Sequence, residues 1–136
     1  MKRVFLGVFA AVSFASAEGY TQADRIMDMQ KMATAMQDIQ TGFFYNNIDI
    51  VKVGVKQLQE TIEKVGPTNE ELNNKDIYER WLNNNIKMTN KIKKKIKRKS
   101  QEIEERFASG DPVQALQAYS NIAEKCMKCH VQLRKW

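Results

Sequence analysis

From Thr21 onward this chain places apolar side chains at spacings of three and four, and no stretch alternates polar with apolar as a half-buried strand would. Such a pattern restricts the fold to amphipathic helices packed on one another, and the breaks in it decide how many there are. Ile26, Met29, Met32, Met36, Ile39 and Phe43 form a first stripe, which Gly42 and Asn46-Asn47 bring to an end. Val51, Val55, Leu58 and Ile62 form a second, from Ile48 to Val65. Gly66-Pro67 stops it, because glycine suits a helix C-cap and proline just beyond cannot continue the helix.

Residues 68–75 are polar and rich in Asn and Glu, the composition of a loop with at most a short helical turn. Asp76 is placed to cap a long third helix that runs to Ala108. Along it Ile77, Trp81, Leu82, Ile86, Ile92, Ile96, Ile103 and Phe107 keep near-heptad spacing, interrupted at Thr89 and at Lys99 or Ser100. At 1.5 Å per residue it would be about 50 Å long, enough to project beyond its neighbours or to bend. Ser109-Gly110-Asp111-Pro112 is the sharpest boundary: glycine closes one helix, Asp caps the next and proline takes its first turn. Leu116, Tyr119, Ala123, Cys126, His130 and Leu133 are the expected inner side of the fourth helix. The predicted fold is all-α, an antiparallel four-helix bundle, in which cofactor sites lie between facing helices.

Ahead of this domain stands a leader. Lys2-Arg3 is a basic n-region, Val4 to Phe14 an apolar h-region too short to span a bilayer as a helix, and Ala15-Ser16-Ala17 an A-x-A cleavage site. Residues 1–17 are therefore expected to be a cleaved signal peptide. Residues 18–136 would then form one domain exported to the periplasm, with no transmembrane anchor after cleavage. Loss of Lys2 and Arg3 takes two from the formal charge of +6, leaving +4.

Near the C-terminus the chain reads Cys126-Met127-Lys128-Cys129-His130. Thiols at i and i+3 and an imidazole at i+4 share one helical face, so both cysteines can take the vinyl groups of one haem while the imidazole reaches its iron. A single covalently attached haem c is the expected cofactor, and export agrees with it, since bacteria attach haem c outside the cytoplasm. A structural zinc site needs four ligands, whereas the chain has two Cys and one His. No βαβ pattern precedes Cys126 to suggest a thioredoxin-like pair, and a disulfide between i and i+3 of a helix would strain its geometry.

His130 is the only histidine, so its partner across the iron would be Met, Lys, Tyr, water or nothing. A thioether there raises the iron's potential and suits electron transfer, whereas an open position admits a small gas. Met29, Met32 and Met36 share one face of the first helix, with Met27 off it. Packing of flexible side chains is the ordinary role of such a run, and iron ligation by one of them is the alternative. Arg25, one turn before Met29, and Arg134, one turn after His130, are candidates to pair with haem propionates, against simple surface solvation.

Lys91, Lys93, Lys94, Lys95, Lys97, Arg98 and Lys99 surround Ile92 and Ile96 on the third helix. Their ordinary reading is a solvated face, with Glu102, Glu104 and Glu105 as i, i+4 partners. Charge of one sign can also steer an acidic redox partner or an anionic membrane surface to the Lys91–Lys99 face. Nucleic acid is not expected, for want of a groove-reading motif. No P-loop, nucleophile elbow or histidine base is present, so the chain is not expected to be an enzyme beyond what haem itself could do.

Four helical segments with Cys126, Cys129 and His130 in the last, Arg134 four residues after His130 and Arg25 in the first, resemble the class II cytochromes c, the cytochrome c-prime family. Ordinary class I cytochromes put the motif near the N-terminus, the opposite polarity. The resemblance covers the mature chain in architecture and implies a distal position four residues after Arg25, at Met29. Family members with Met there are low-spin electron carriers, and those with an apolar residue are five-coordinate and bind nitric oxide or carbon monoxide. Two departures stand out: Ile26 where Gln often follows the arginine, and the long basic third helix. A register shift of one turn would promote Met32. The expected function is single-electron transfer with His130 proximal and Met29 distal; gas binding at an empty distal site is the alternative, and a haem-bearing interaction protein working through its basic helix is the third. The family also implies a homodimer through its first two helices.

Overall fold

In a computed structural model of the chain, which describes residues 19–73 and 79–134, every regular element is an α-helix. Four are long, α1 (Gln22–Phe44), α2 (Ile48–Lys64), α4 (Glu79–Ala108) and α5 (Pro112–Arg134), and one is short, α3 (Asn69–Asn73). The leader with its cleavage site, the Asp76 cap and Ile77 lie outside the described residues, as do the side chains of Trp81, Leu82 and Arg134.

Local chemistry explains the boundaries. Thr21 and Asp24 form a reciprocal capping box at the start of α1, the Asp24 N–H donating to the Thr21 hydroxyl and the Thr21 N–H to the Asp24 carboxylate. Asn46 turns the chain with φ +49°, a left-handed conformation that Asn tolerates. Asn47 then caps α2 by accepting from the Asp49 and Ile50 N–H groups. Gly42, expected to end α1, lies inside it: a Cβ there would come within 2.6 Å of the Val51 side chain and 2.8 Å of its nitrogen, so the glycine lets α2 approach. Gly110 closes α4 at φ +80°, and the Asp111 carboxylate accepts from the Gln114 N–H to open α5.

The helix pairs that pack are α1 on α2, α2 on α4 and α4 on α5. On the first seam, Gly54 sits against Ala35 and Ile39, where a Cβ would lie 2.8 Å from the Ala35 carbonyl oxygen and 2.9 Å from the Ile39 nitrogen. Backbone cannot give way as a side chain can. Gly54→Ala should therefore cost about 1 kcal/mol or more through forced separation of α1 and α2, although Ala is the better helix former by up to about 1 kcal/mol. Urea unfolding checks this: the expected result is a lower midpoint at unchanged slope, and an unchanged or raised midpoint would contradict so close an approach.

On the second seam the Gln59 amide donates to the Ser100 hydroxyl (3.0 Å), which donates in turn to the Lys97 carbonyl (2.8 Å). Ser100 is fully buried, so this pairing explains a polar residue in the middle of an apolar stripe. Lys97 pairs with Glu63 at 2.9 Å, and the Lys93 ammonium donates to the Glu63 and Val65 carbonyls at the end of α2. The basic run is thus only partly a solvated face. Of its expected acidic partners, Glu102 pairs with Lys99, at i, i+3.

Ile39, Val51, Val55, Leu58, Ile96, Ile103, Ala115, Ala118 and Ile122 make the core, and the predicted α2 stripe is buried throughout. Two faces differ from their sequence reading. Ile26 is 45 % exposed while Asp28 and Ala35 are buried; Met32 belongs to the core, and Met29, Met36 and Phe43 pack against it partly buried. On α5, Leu116 (52 %) and Leu133 (37 %) are exposed, and Ala115, Ala118 and Ile122 face inward instead. Alanines at a helix contact shorten the interaxial distance, so the close α4–α5 seam selects the face with small residues over the face with large ones. At one end α1, α4 and α5 are tied by aromatic contacts, Phe43 lying 5.2 Å from Phe107 and 5.9 Å from Tyr119, centroid to centroid. Among the described residues α1 and α5 share no packed seam comparable to those of α1 on α2, α2 on α4 and α4 on α5. No helix among the described residues is long and apolar enough to cross a membrane.

Candidate functional site

The last turns of α5 carry Cys126, Cys129 and His130, all half-buried, and both cysteines are free thiols. Cys126 packs against the core. Cys129 opens onto a cleft between α5 and α1, where Arg25 and Met29 form the facing wall. Ile86 and Thr89 of α4, Leu133 of α5 and the Val65-Gly66-Pro67 corner complete an apolar lining, and Glu71 of α3 stands at its edge. Residues separated by about a hundred positions in sequence, Arg25 and Met29 on one side and Cys129 on the other, are thereby brought together. Met32 and Met36 are not among the lining residues, and neither is His130, one position beyond Cys129 on the same turn.

Arg25 already holds a carboxylate. Its two terminal nitrogens donate to the two oxygens of Glu71 at 3.0 and 2.5 Å, and one also donates to the Gly66 carbonyl at 2.9 Å. This bidentate fork ties α3 and the end of α2 to α1. Thr68 and Glu71 form a second reciprocal capping box, the Thr68 N–H donating to the Glu71 carboxylate and the Glu71 N–H to the Thr68 hydroxyl.

Hydrogen bonding to Arg25 holds the Glu71 carboxyl below its ordinary 4.5, against the opposing effect of burial. A carboxylate depressed in the folded state contributes stability that is complete above its unfolded value and lost as pH falls through its folded one. Urea midpoints taken from about pH 7 to about pH 3 should therefore fall more steeply in the native chain than in Glu71→Gln, the divergence beginning below 4.5. Parallel curves would contradict the pair.

Burial, with the neighbouring Cys129 second, pushes the Cys126 thiol up to about 11. Burial also raises Cys129, while the Arg25 guanidinium pulls it back. Both are thus thiols rather than thiolates at neutral pH, which disfavours a nucleophilic or disulfide-exchange role. Among the described residues no group of three or more His, Cys, Asp or Glu side chains is placed to hold a bare metal ion.

Whether the cleft suits a haem can be judged from its donors and its size. Asn85 of α4, on the cleft lining, has a buried amide nitrogen with no hydrogen-bond partner among the described residues. Such an orphan costs about 1–3 kcal/mol, which an acceptor arriving with a ligand would relieve. Arg25 is a fork suited to a carboxylate, and the walls are apolar, so the chemistry fits a macrocycle with acidic side arms. The free volume is about 90 Å³, room for a few waters at roughly 30 Å³ each, so a macrocycle also needs α1 and α5 to part. Among the described residues neither α4 nor α5 shares with α1 a packed seam like those of α1 with α2 and α4 with α5.

Glu71 and Asn85 were absent from the sequence reading. Thr68-Asn69-Glu70-Glu71 carries the S/T-x-x-E capping signature, so the position of Glu71 was available, though its partner Arg25 was not. Nothing local distinguishes Asn85 from Asn83 and Asn84. The chain matches no known family model, and no curated protein or solved structure is similar enough to register as a match.

Proposed function

We propose that this chain is an exported c-type cytochrome of the class II kind, an antiparallel four-helix bundle carrying one haem on α5. The observation that carries the proposal is the cluster on one turn of α5, Cys126, Cys129 and His130, with Cys129 open to an apolar cleft whose far wall is Met29. The direction of the helices is inferred from pairings that descend along one partner as they ascend along the other: Val51 with Gly42 and then Gly54 with Ala35, Gln59 with Ser100 and then Glu63 with Lys97.

Cys126 and Cys129 would hold the haem, each by adding its S–H across a vinyl group, sulfur to one carbon and hydrogen to the other, with no change in oxidation state. His130 would supply a nitrogen to the iron, and Met29 is favoured over Met32 as the second ligand because it lines the cleft while Met32 is packed in the core. Bound haem supplies a one-electron iron couple. Arg25 and Asn85 offer donors to its propionates, the former by exchanging Glu71 for a propionate carboxylate. Arg134 follows one turn beyond His130 as a second candidate. The protein then moves single electrons between partners in the periplasm.

A second reading, binding of nitric oxide or carbon monoxide at an open distal position, is favoured by the Asn85 amide, a donor on the cleft lining with no partner among the described residues. The oxidised spectrum separates the two. A weak far-red band of thioether ligation supports electron transfer, and a high-spin spectrum without it supports gas binding.

A further inference from the structure

On the far side of α5 from Cys129 lies a broad open groove between α4 and α5. At about 100° per residue, Met127 and Val131 project some 160° away from Cys129 around the helix. Both are exposed, Met127 by 48 % and Val131 by 53 %, and they form the apolar floor. Lys91 and Lys95 rim it from α4, Lys125 and Lys128 from α5.

The charges at the rim are unbalanced. Among the described residues Glu124 is the sole acidic one on the lining, and it is shared between Lys125 and Lys128. Lys91 and Lys95 make no ion pair among the described residues, in contrast to Lys97 and Lys99 of the same helix. An apolar centre within a ring of one charge sign has the anatomy of a protein docking site, the floor excluding water and the ring orienting the approach. The pairing of the lysines therefore divides the basic helix into a structural part, Lys93, Lys97 and Lys99, and an open part facing the groove.

We infer that this groove docks an acidic redox protein, one presenting carboxylates around an apolar spot, and that electrons pass to it across α5. The inference rests on the haem reading, since it gives the groove its purpose: one helix, about 10 Å in diameter, separates the floor from the cleft at Cys129. Lys91 and Lys95 set the rate of encounter, and Met127 and Val131 seat the complex.

Stopped-flow reduction of the purified, haem-loaded protein by a reduced acidic [2Fe–2S] ferredoxin tests it. Lys91→Glu/Lys95→Glu should slow the second-order rate about tenfold or more at low salt and much less at high salt, where screening already removes the attraction. Lys52→Glu/Lys56→Glu, an equal charge reversal on the exposed face of α2, should change it less than about twofold. Equal slowing by both pairs would overturn the groove and leave only net charge at work. A groove variant that keeps its rate but no longer co-sediments with phosphatidylglycerol vesicles would assign the surface to a membrane and overturn the protein partner. Protein that carries no covalent haem when purified would overturn the haem reading and this inference together.

Discussion

Cys126→Ala/Cys129→Ala is expected to abolish covalent haem altogether. The exported variant should run without haem-dependent peroxidase staining on a denaturing gel, where the native chain should stain, and its purified form should be colourless. Each single variant should keep one thioether and stain less. Thioether attachment is all or nothing at each sulfur, so the double variant has no route to a covalent product. The fold should tolerate the change comparatively well: both thiols are only half-buried, although Cys126 packs on the core and its loss leaves a small void. Staining that survives the double substitution would place the cofactor elsewhere.

The second large effect is spectroscopic. Met29→Ala should remove the far-red band of the oxidised protein and open the iron to carbon monoxide, because among the described residues the cleft lining offers no other thioether. Met32→Ala should do the opposite. Met32 is 6 % exposed within the core, so its truncation should cost about 2–5 kcal/mol of stability and leave the band in place. The pair of variants therefore separates ligation from packing on one helix. If the band is lost in Met32→Ala and kept in Met29→Ala, the ligand lies one turn further along α1.

How much of this was legible beforehand differed by element. Along α2 the sequence stripe of Val51, Val55, Leu58 and Ile62 coincides with the buried face, because a helix with one apolar side has one way to pack. α1 is less legible: Asp28 is buried, a polar residue satisfied by the Tyr20 hydroxyl at 3.2 Å and by Lys31 nearby, while Ile26 is turned outward. Periodicity weighs size and apolarity, and it misjudged α5 for that reason, since the close seam with α4 selects Ala115 and Ala118 over Leu116. Ser100 is a break in pattern that turns out to be a hydrogen-bonded core position.

For the site, the cysteines and histidine were legible because their chemistry lies within five residues. Arg25 and Met29 could be nominated from one helix face and from family resemblance, but their meeting with Cys129 depends on packing between the two ends of the chain. The Glu71 fork and the orphaned Asn85 amide are products of that same packing, so no local pattern could have paired them.

The central claim, one haem covalently held by α5 of an exported chain, is tested most directly by the intact mass of the native protein. The protein would be purified under denaturing conditions from a host that exports it and attaches haem c. The predicted mass is that of residues 18–136 plus a single haem, retained through acid and organic solvent. A mass equal to the bare polypeptide, from a host in which a known c-type cytochrome is loaded in parallel, would contradict it.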